Sequence, residues 1–222
     1  MKKSVVTVLI FFTALTFAQA QNAGRFAVGL RFGAQIGIHK ADSDFTDYLK
    51  YNNQSFGYHL KEKSLPNPNL VLFGSYGFTN YIAVQTEFNF NFAQGVRGDN
   101  GSSWIDMTYS SLDIPLLLKI NFMLGSSRIG VLGGPYLTVA LGKVKTAYTG
   151  FSASDEENNI DTPNFGFLAG LFYVRPIGFG NFVADARYAM DLGTSKARIS
   201  GADFGIMQRR GILISAGVEF NI

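Results

Sequence analysis

Residues 210–222 read RGILISAGVEFNI, and their alternation decides the fold. Ile212, Ile214, Ala216, Val218, Phe220 and Ile222 form one apolar face. Gly211, Ser215, Gly217, Glu219 and Asn221 form the other, with Leu213 as its one bulky apolar member. A repeat of two is the mark of a β-strand. An apolar face running unbroken to the last residue is rare in a soluble sheet. It suits a strand that closes a transmembrane barrel, because in lipid every backbone N–H and C=O needs a partner on a neighbouring strand.

Seven further segments alternate in the same way: residues 25–38, 69–78, 81–92, 104–122, 128–141, 165–174 and 181–192. In the first, Phe26, Val28, Leu30, Phe32, Ala34, Ile36 and Ile38 oppose Arg31, Gly33, Gln35 and Gly37. Pro115 has no N–H for a ladder, so a bulge or local irregularity is expected there. The segment 165–174 is apolar on both faces, and its alternation does not say which points outward. The gaps between segments alternate short and long. Short gaps fall at 79–80, 123–127 and 176–180, and long ones at 39–68, 93–103, 142–164 and 193–209. An all-β, eight-stranded antiparallel up-and-down transmembrane barrel has this rhythm, with short periplasmic turns and long external loops. It places both termini on the periplasmic side.

Alternation alone does not distinguish this barrel from a soluble one that turns its apolar face inward around a ligand. The opposite face decides. Gly29, Gly33, Gly37, Gly130, Gly134, Gly217, Ala27, Ala83 and Ala140 crowd it. Glycine on a solvent face weakens a strand without return, whereas small residues make room inside a narrow barrel. The apolar face is therefore expected to meet lipid.

The other end of the chain agrees. Lys2 and Lys3 precede an apolar run over 5–17, and Ala18-Gln19-Ala20 supplies a small-x-small cleavage pattern, so 1–20 reads as a cleaved signal peptide and 21–222 as one domain. The run is too short to span about 30 Å of hydrocarbon comfortably. Losing two lysines takes the net charge from +3 to about +1, which argues against a nucleic-acid partner. The absence of cysteine excludes disulfides and thiolate metal sites.

Catalytic constellations are weak. His39 and His59 are the only histidines; His59 with Ser55 or Ser64 and Glu62, or His39 with Asp42, Asp44 and Asp47, fit a polar loop as well as a hydrolase. Residues 154–161, SDEENNID, lack the spacing of an EF-hand loop. No Walker loop or dinucleotide fingerprint occurs. No enzyme activity, cofactor or metal is expected.

The inner face carries more. Arg31, Glu87, Asp113, Lys119, Asp185, Arg187 and Glu219 all oppose the apolar stripes of their strands. Charges of both signs in a narrow interior must pair. They are expected to plug the barrel structurally, since eight strands leave an interior barely wide enough for side chains; a wet selective pore is the alternative. In the first long loop, Phe45, Tyr48, Tyr51, Phe56 and Tyr58 lie among Lys50, Lys61 and Lys63 and are candidate external contacts for a protein or glycan.

The stretches SLDIPLLLK (111–119), GGPYL (133–137) and DARY (185–188), with the glycine-rich final strand, resemble the PorT-type outer-membrane β-barrel proteins of bacteria that glide or use type IX secretion. The chain is also similar in size to the OmpA and OmpX barrels. The resemblance spans the mature chain and implies an integral outer-membrane monomer in a Gram-negative cell envelope. Its implied role is structural, partner-binding or secretion-associated, with envelope or secretion proteins or surface ligands as partners. Its motifs specify a barrel far better than an activity.

Overall fold

The computed structural model describes the backbone of residues 24–41, 61–64, 66–99, 104–148, 151–154, 160–161, 163–193, 195–199 and 202–222, and the side chains of 24–37, 66–92, 108–142, 163–193 and 209–222. Eight long strands carry the fold: β1 (Arg25–Ala41), β2 (Asn67–Gly77), β3 (Ile82–Asp99), β4 (Trp104–Leu124), β5 (Ser127–Tyr148), β6 (Asn164–Pro176), β7 (Asn181–Asp191) and β8 (Ala202–Asn221). Each pairs antiparallel with the next, and β8 returns to pair with β1, so the sheet closes on itself. Closure removes the unpaired edges that an open sheet would present.

Three connections at one end are tight, as the gap lengths predict. Leu124 pairs with Ser127, leaving a two-residue turn in which Gly125 has φ +60°. Such hairpins need positive φ in the turn, which glycine takes without penalty. Between β2 and β3, Thr79 Oγ1 accepts hydrogen bonds from the backbone N–H groups of Tyr81 and Ile82 at 3.1 and 2.9 Å. That side-chain cap holds the turn in place of a ladder.

The opposite end differs from expectation. Long gaps were expected at 93–103, 142–164 and 193–209, yet β3 runs to Asp99, β5 to Tyr148, and β8 begins at Ala202. Short strands Lys61–Ser64, Phe151–Ser154, Ile160–Asp161 and Ser195–Ile199 add to this end. The sheet thus continues past the apolar belt. A backbone ladder needs no apolar face, so Gln94 to Asp99 pair without the signal that marks a strand in lipid.

Pro115 interrupts the ladder without shifting it. Thr86 pairs with Leu116 and Asn89 with Asp113, the same register on both sides of the break. Thr86 Oγ1 donates to the Pro115 carbonyl at 3.2 Å. The register shifts lie higher, between Asn91 and Gln94 and between Thr108 and Ser110.

Phe32, Phe88, Leu116, Leu171 and Ile214 point outward and are 63, 49, 58, 63 and 54% exposed. A continuous apolar belt of this kind is tolerable only in contact with lipid. The inner face holds buried charges and amides, but also an apolar cluster that includes Phe73, Leu117, Leu132, Tyr136, Leu168, Phe172 and Val174. That cluster explains the doubly apolar sixth strand: Phe165, Phe167 and Leu171 face out, while Leu168, Phe172 and Val174 pack inside.

Candidate functional site: the barrel lumen

Three interior aromatics each lie directly across a ladder from a glycine. Phe73 pairs with Gly29, Phe172 with Gly130, and Tyr136 with Gly166, and a Cβ on any of those glycines would collide with the ring. Each ring lies down over its glycine and offers its face to a cation. Arg31 sits 4.6 Å from the Phe73 ring centre, Lys119 4.5 Å from Phe172, and the Arg209 guanidinium 5.2 Å from Tyr136. Cation–π contact is stronger where water is excluded. The same glycine–aromatic–cation unit therefore recurs three times in the lumen.

The charges sort into tiers along the axis. The middle tier joins Arg31, Glu87, Asp185 and Arg187 from β1, β3 and β7. Arg187 grips Glu87 with both terminal nitrogens at 2.7 and 2.9 Å and reaches Asp185 at 3.0 Å. Arg31 donates to Glu87 at 2.5 Å and also to Asp185. Ser215 Oγ donates to Asp185 at 2.8 Å, and Gln85 donates to Glu87. Two arginines and two carboxylates balance, and the bidentate geometry offsets the cost of taking them out of water. Glycine again makes room, with Gly217 opposite Arg31 and Gly170 opposite Arg187.

Further toward the long-loop end, Asp113 is not part of that quartet. It is held by Arg209 through two bonds at 2.8 and 3.1 Å, and by Thr138 Oγ1 and Asn91 Nδ2 at 2.7 and 2.8 Å. Arg209 also reaches Asp191 at 3.3 Å, which accepts the Tyr136 hydroxyl proton at 2.5 Å. At the turn end, Glu219 takes Arg128 at 2.9 Å and the Asn181 amide at 3.4 Å. Its charge also attracts Lys119, whose Nζ donates to Gln85 Oε1 at 2.9 Å.

All seven expected lumen charges are buried, but Arg209, Asp191 and Arg128 complete the arrangement and were not among them. Parity would have found them. Arg209 is in phase with Gly211, Leu213 and Glu219, and Arg128 with Gly130 and Leu132. Where Arg31, Gln85, Lys119 and Glu219 come together, the enclosed space is about 10 Å³, no more than one water needs.

The loop candidates fare differently. Phe45, Tyr48, Tyr51, Phe56, Tyr58, His59, Ser55, Asp42, Asp44 and Asp47 lie outside the described residues, as do 1–20. His39, Glu62 and Ser64 fall on strand backbone, opposite Arg209, Gly98 and Val96. Among the described residues no cluster of His, Asp and Glu is placed to hold a metal.

Solved outer-membrane barrels share the fold, among them the following two. OprG from Pseudomonas aeruginosa is 14% identical, with a TM-score of 0.55 over 92% of this chain and 100% of its own. AlkL, solved in DMPC lipid bilayers, is 12% identical, with a TM-score of 0.53 over 92% of this chain and 93% of its own. No match was found among curated proteins. The model of the outer membrane protein beta-barrel domain matches residues 17–196, so the chain belongs to that family and is an integral protein of the outer membrane.

Proposed function

We propose that this barrel is non-catalytic and acts through its long-loop end on an envelope, secretion or surface partner, as the likeness to PorT-type barrels implies. The observation that carries this reading is the filled lumen. Salt-bridged tiers cross the interior, and the gap where Arg31, Gln85, Lys119 and Glu219 meet is about 10 Å³. A conduit needs a continuous bore, whereas a scaffold needs a rigid wall. The turn end faces the periplasm in this reading, with both termini there, and the protein acts as a monomer. Phe45, Tyr48, Tyr51, Phe56 and Tyr58 are the anchors that a partner would bury.

A narrow solute pore is the second reading. It draws on a wall of neutral amides, Gln35, Asn67, Asn69, Asn89 and Asn91, buried on three consecutive strands. Planar-bilayer recording of the purified mature chain separates the two. The scaffold reading expects no steady conductance, and it expects a partner captured from intact outer membrane to be lost when the five loop aromatics become alanine. Steady ion steps through the unmodified barrel would replace it with the pore.

A further inference from the structure

At the turn end, a cavity of about 290 Å³ opens between the hairpins. Arg25, Lys119 and Arg128 line it together with Asn121, Asn181 and Asn221, and none of its lining residues is acidic. Lys119 forms its inner wall and is only 7% exposed. Its ammonium has three N–H groups. One goes to Gln85 Oε1, and the charge lies against the Phe172 ring. The carboxylate that attracts Lys119 is Glu219, which Arg128 already holds at 2.9 Å. Asn121, 4% exposed, makes no side-chain hydrogen bond among the described residues. Lys119 and Arg128 thus share one carboxylate beside an acid-free polar cavity that Arg25 also lines, which leaves positive charge in excess there.

We infer that this vestibule binds a small oxyanion of the phosphate class. Lys119 supplies the buried charge at the floor, Arg25 and Arg128 flank the entrance, and the Asn121 amide donates to a remaining oxygen. Donors converging from several strands suit a tetrahedral oxyanion, which has acceptors on every side, better than a planar carboxylate. Free phosphate and a phosphate monoester share this chemistry. The site is independent of the external contacts, because none of the five loop aromatics lines it.

The test is calorimetric titration of the full mature chain, folded in nanodiscs at low ionic strength, with inorganic phosphate and with glycerol phosphate. Saturable one-site binding of either is expected, and the tighter of the two names the source. Lys119→Met should weaken it by about tenfold to a hundredfold, the span of a lost charge-assisted hydrogen bond. Bound phosphate should also raise the temperature at which the folded band disappears on a gel, in the native chain but not in Lys119→Met. Should Lys119→Met fail to fold, Asn121→Leu, which fills the vestibule, must abolish the same heat. Absence of saturable binding, equal heat from chloride, or undiminished binding in the variant that folds would overturn the site.

Discussion

Phe73 lies directly across the β1–β2 ladder from Gly29, and its ring occupies the space that a Cβ on that residue would need. The pair is one solution to a general difficulty, since an eight-stranded interior is too narrow for large side chains on facing positions. Gly29→Val should therefore destabilise the barrel by about 1–3 kcal/mol through overpacking. Phe73→Ala in the same chain should recover part of that loss, because it removes the ring but leaves the Val218 carbonyl 2.5 Å from the new Cβ. Urea unfolding followed by the gel shift of the folded barrel measures both; equal losses in the single and double variants would show that the ring is not the obstacle.

Arg187 holds Glu87 and Asp185 together, so Arg187→Ala leaves two buried carboxylates competing for Arg31. A loss of about 3–5 kcal/mol is expected for breaking one side of a buried pair. Arg187→Ala combined with Glu87→Gln should cost less than the sum of the separate changes. Arg187→Ala combined with Arg209→Ala should be close to additive, because Arg209 serves Asp113 and Asp191 instead. A full double-mutant set in one detergent reads the tiers as separate or merged.

The lipid face gives a depth-dependent prediction. Ile214→Arg and Phe88→Arg should each cost about 2–4 kcal/mol if the position reaches the bilayer midplane. Both side chains are about half exposed on the outer surface. Gly217→Lys enters the packed lumen instead, where even a Cβ would strike the Leu30 carbonyl, and should act by crowding. Harmless arginines in a folded barrel would mean that the apolar belt does not meet lipid.

Processing supplies a fourth expectation. Mass spectrometry of protein recovered from the outer membrane should find Gln21 at the mature N-terminus, and high-salt washing should leave the protein in the membrane. A species that retains Met1 would refute the cleavage site.

Strand number, tight turns and the outward direction of most strands were legible because lipid imposes a strict repeat of two. The final strand shows this best, with Ile212, Ile214 and Phe220 outward and Leu213 and Glu219 inward. The partners of the lumen charges were not legible, since the stagger of the barrel decides whether Asp113 meets Arg187 or Arg209. Arg209 itself was hidden in QRRG, which reads as loop until the parity of β8 is carried back to it. The extensions at the loop end were hidden for a different reason. Outside the bilayer nothing forces one face to be apolar, so Gln94 to Asp99 pair with β4 and leave no pattern. The doubly apolar sixth strand concealed its direction because Leu168 and Phe172 pack into an apolar cluster that charges alone did not announce.

The pairing of β1 with β8, from Ala27 opposite Asn221 to Ala41 opposite Met207, joins strands that are nearly the whole chain apart. Contacts of such high sequence separation form late, because the chain between their ends must first be ordered. Until then both strands are open edges, with backbone groups that water can satisfy and hydrocarbon cannot. The sheet therefore cannot settle into lipid one hairpin at a time. Insertion and closure must proceed together, and the seam made by residues 210–222 is the step that commits the chain to the membrane.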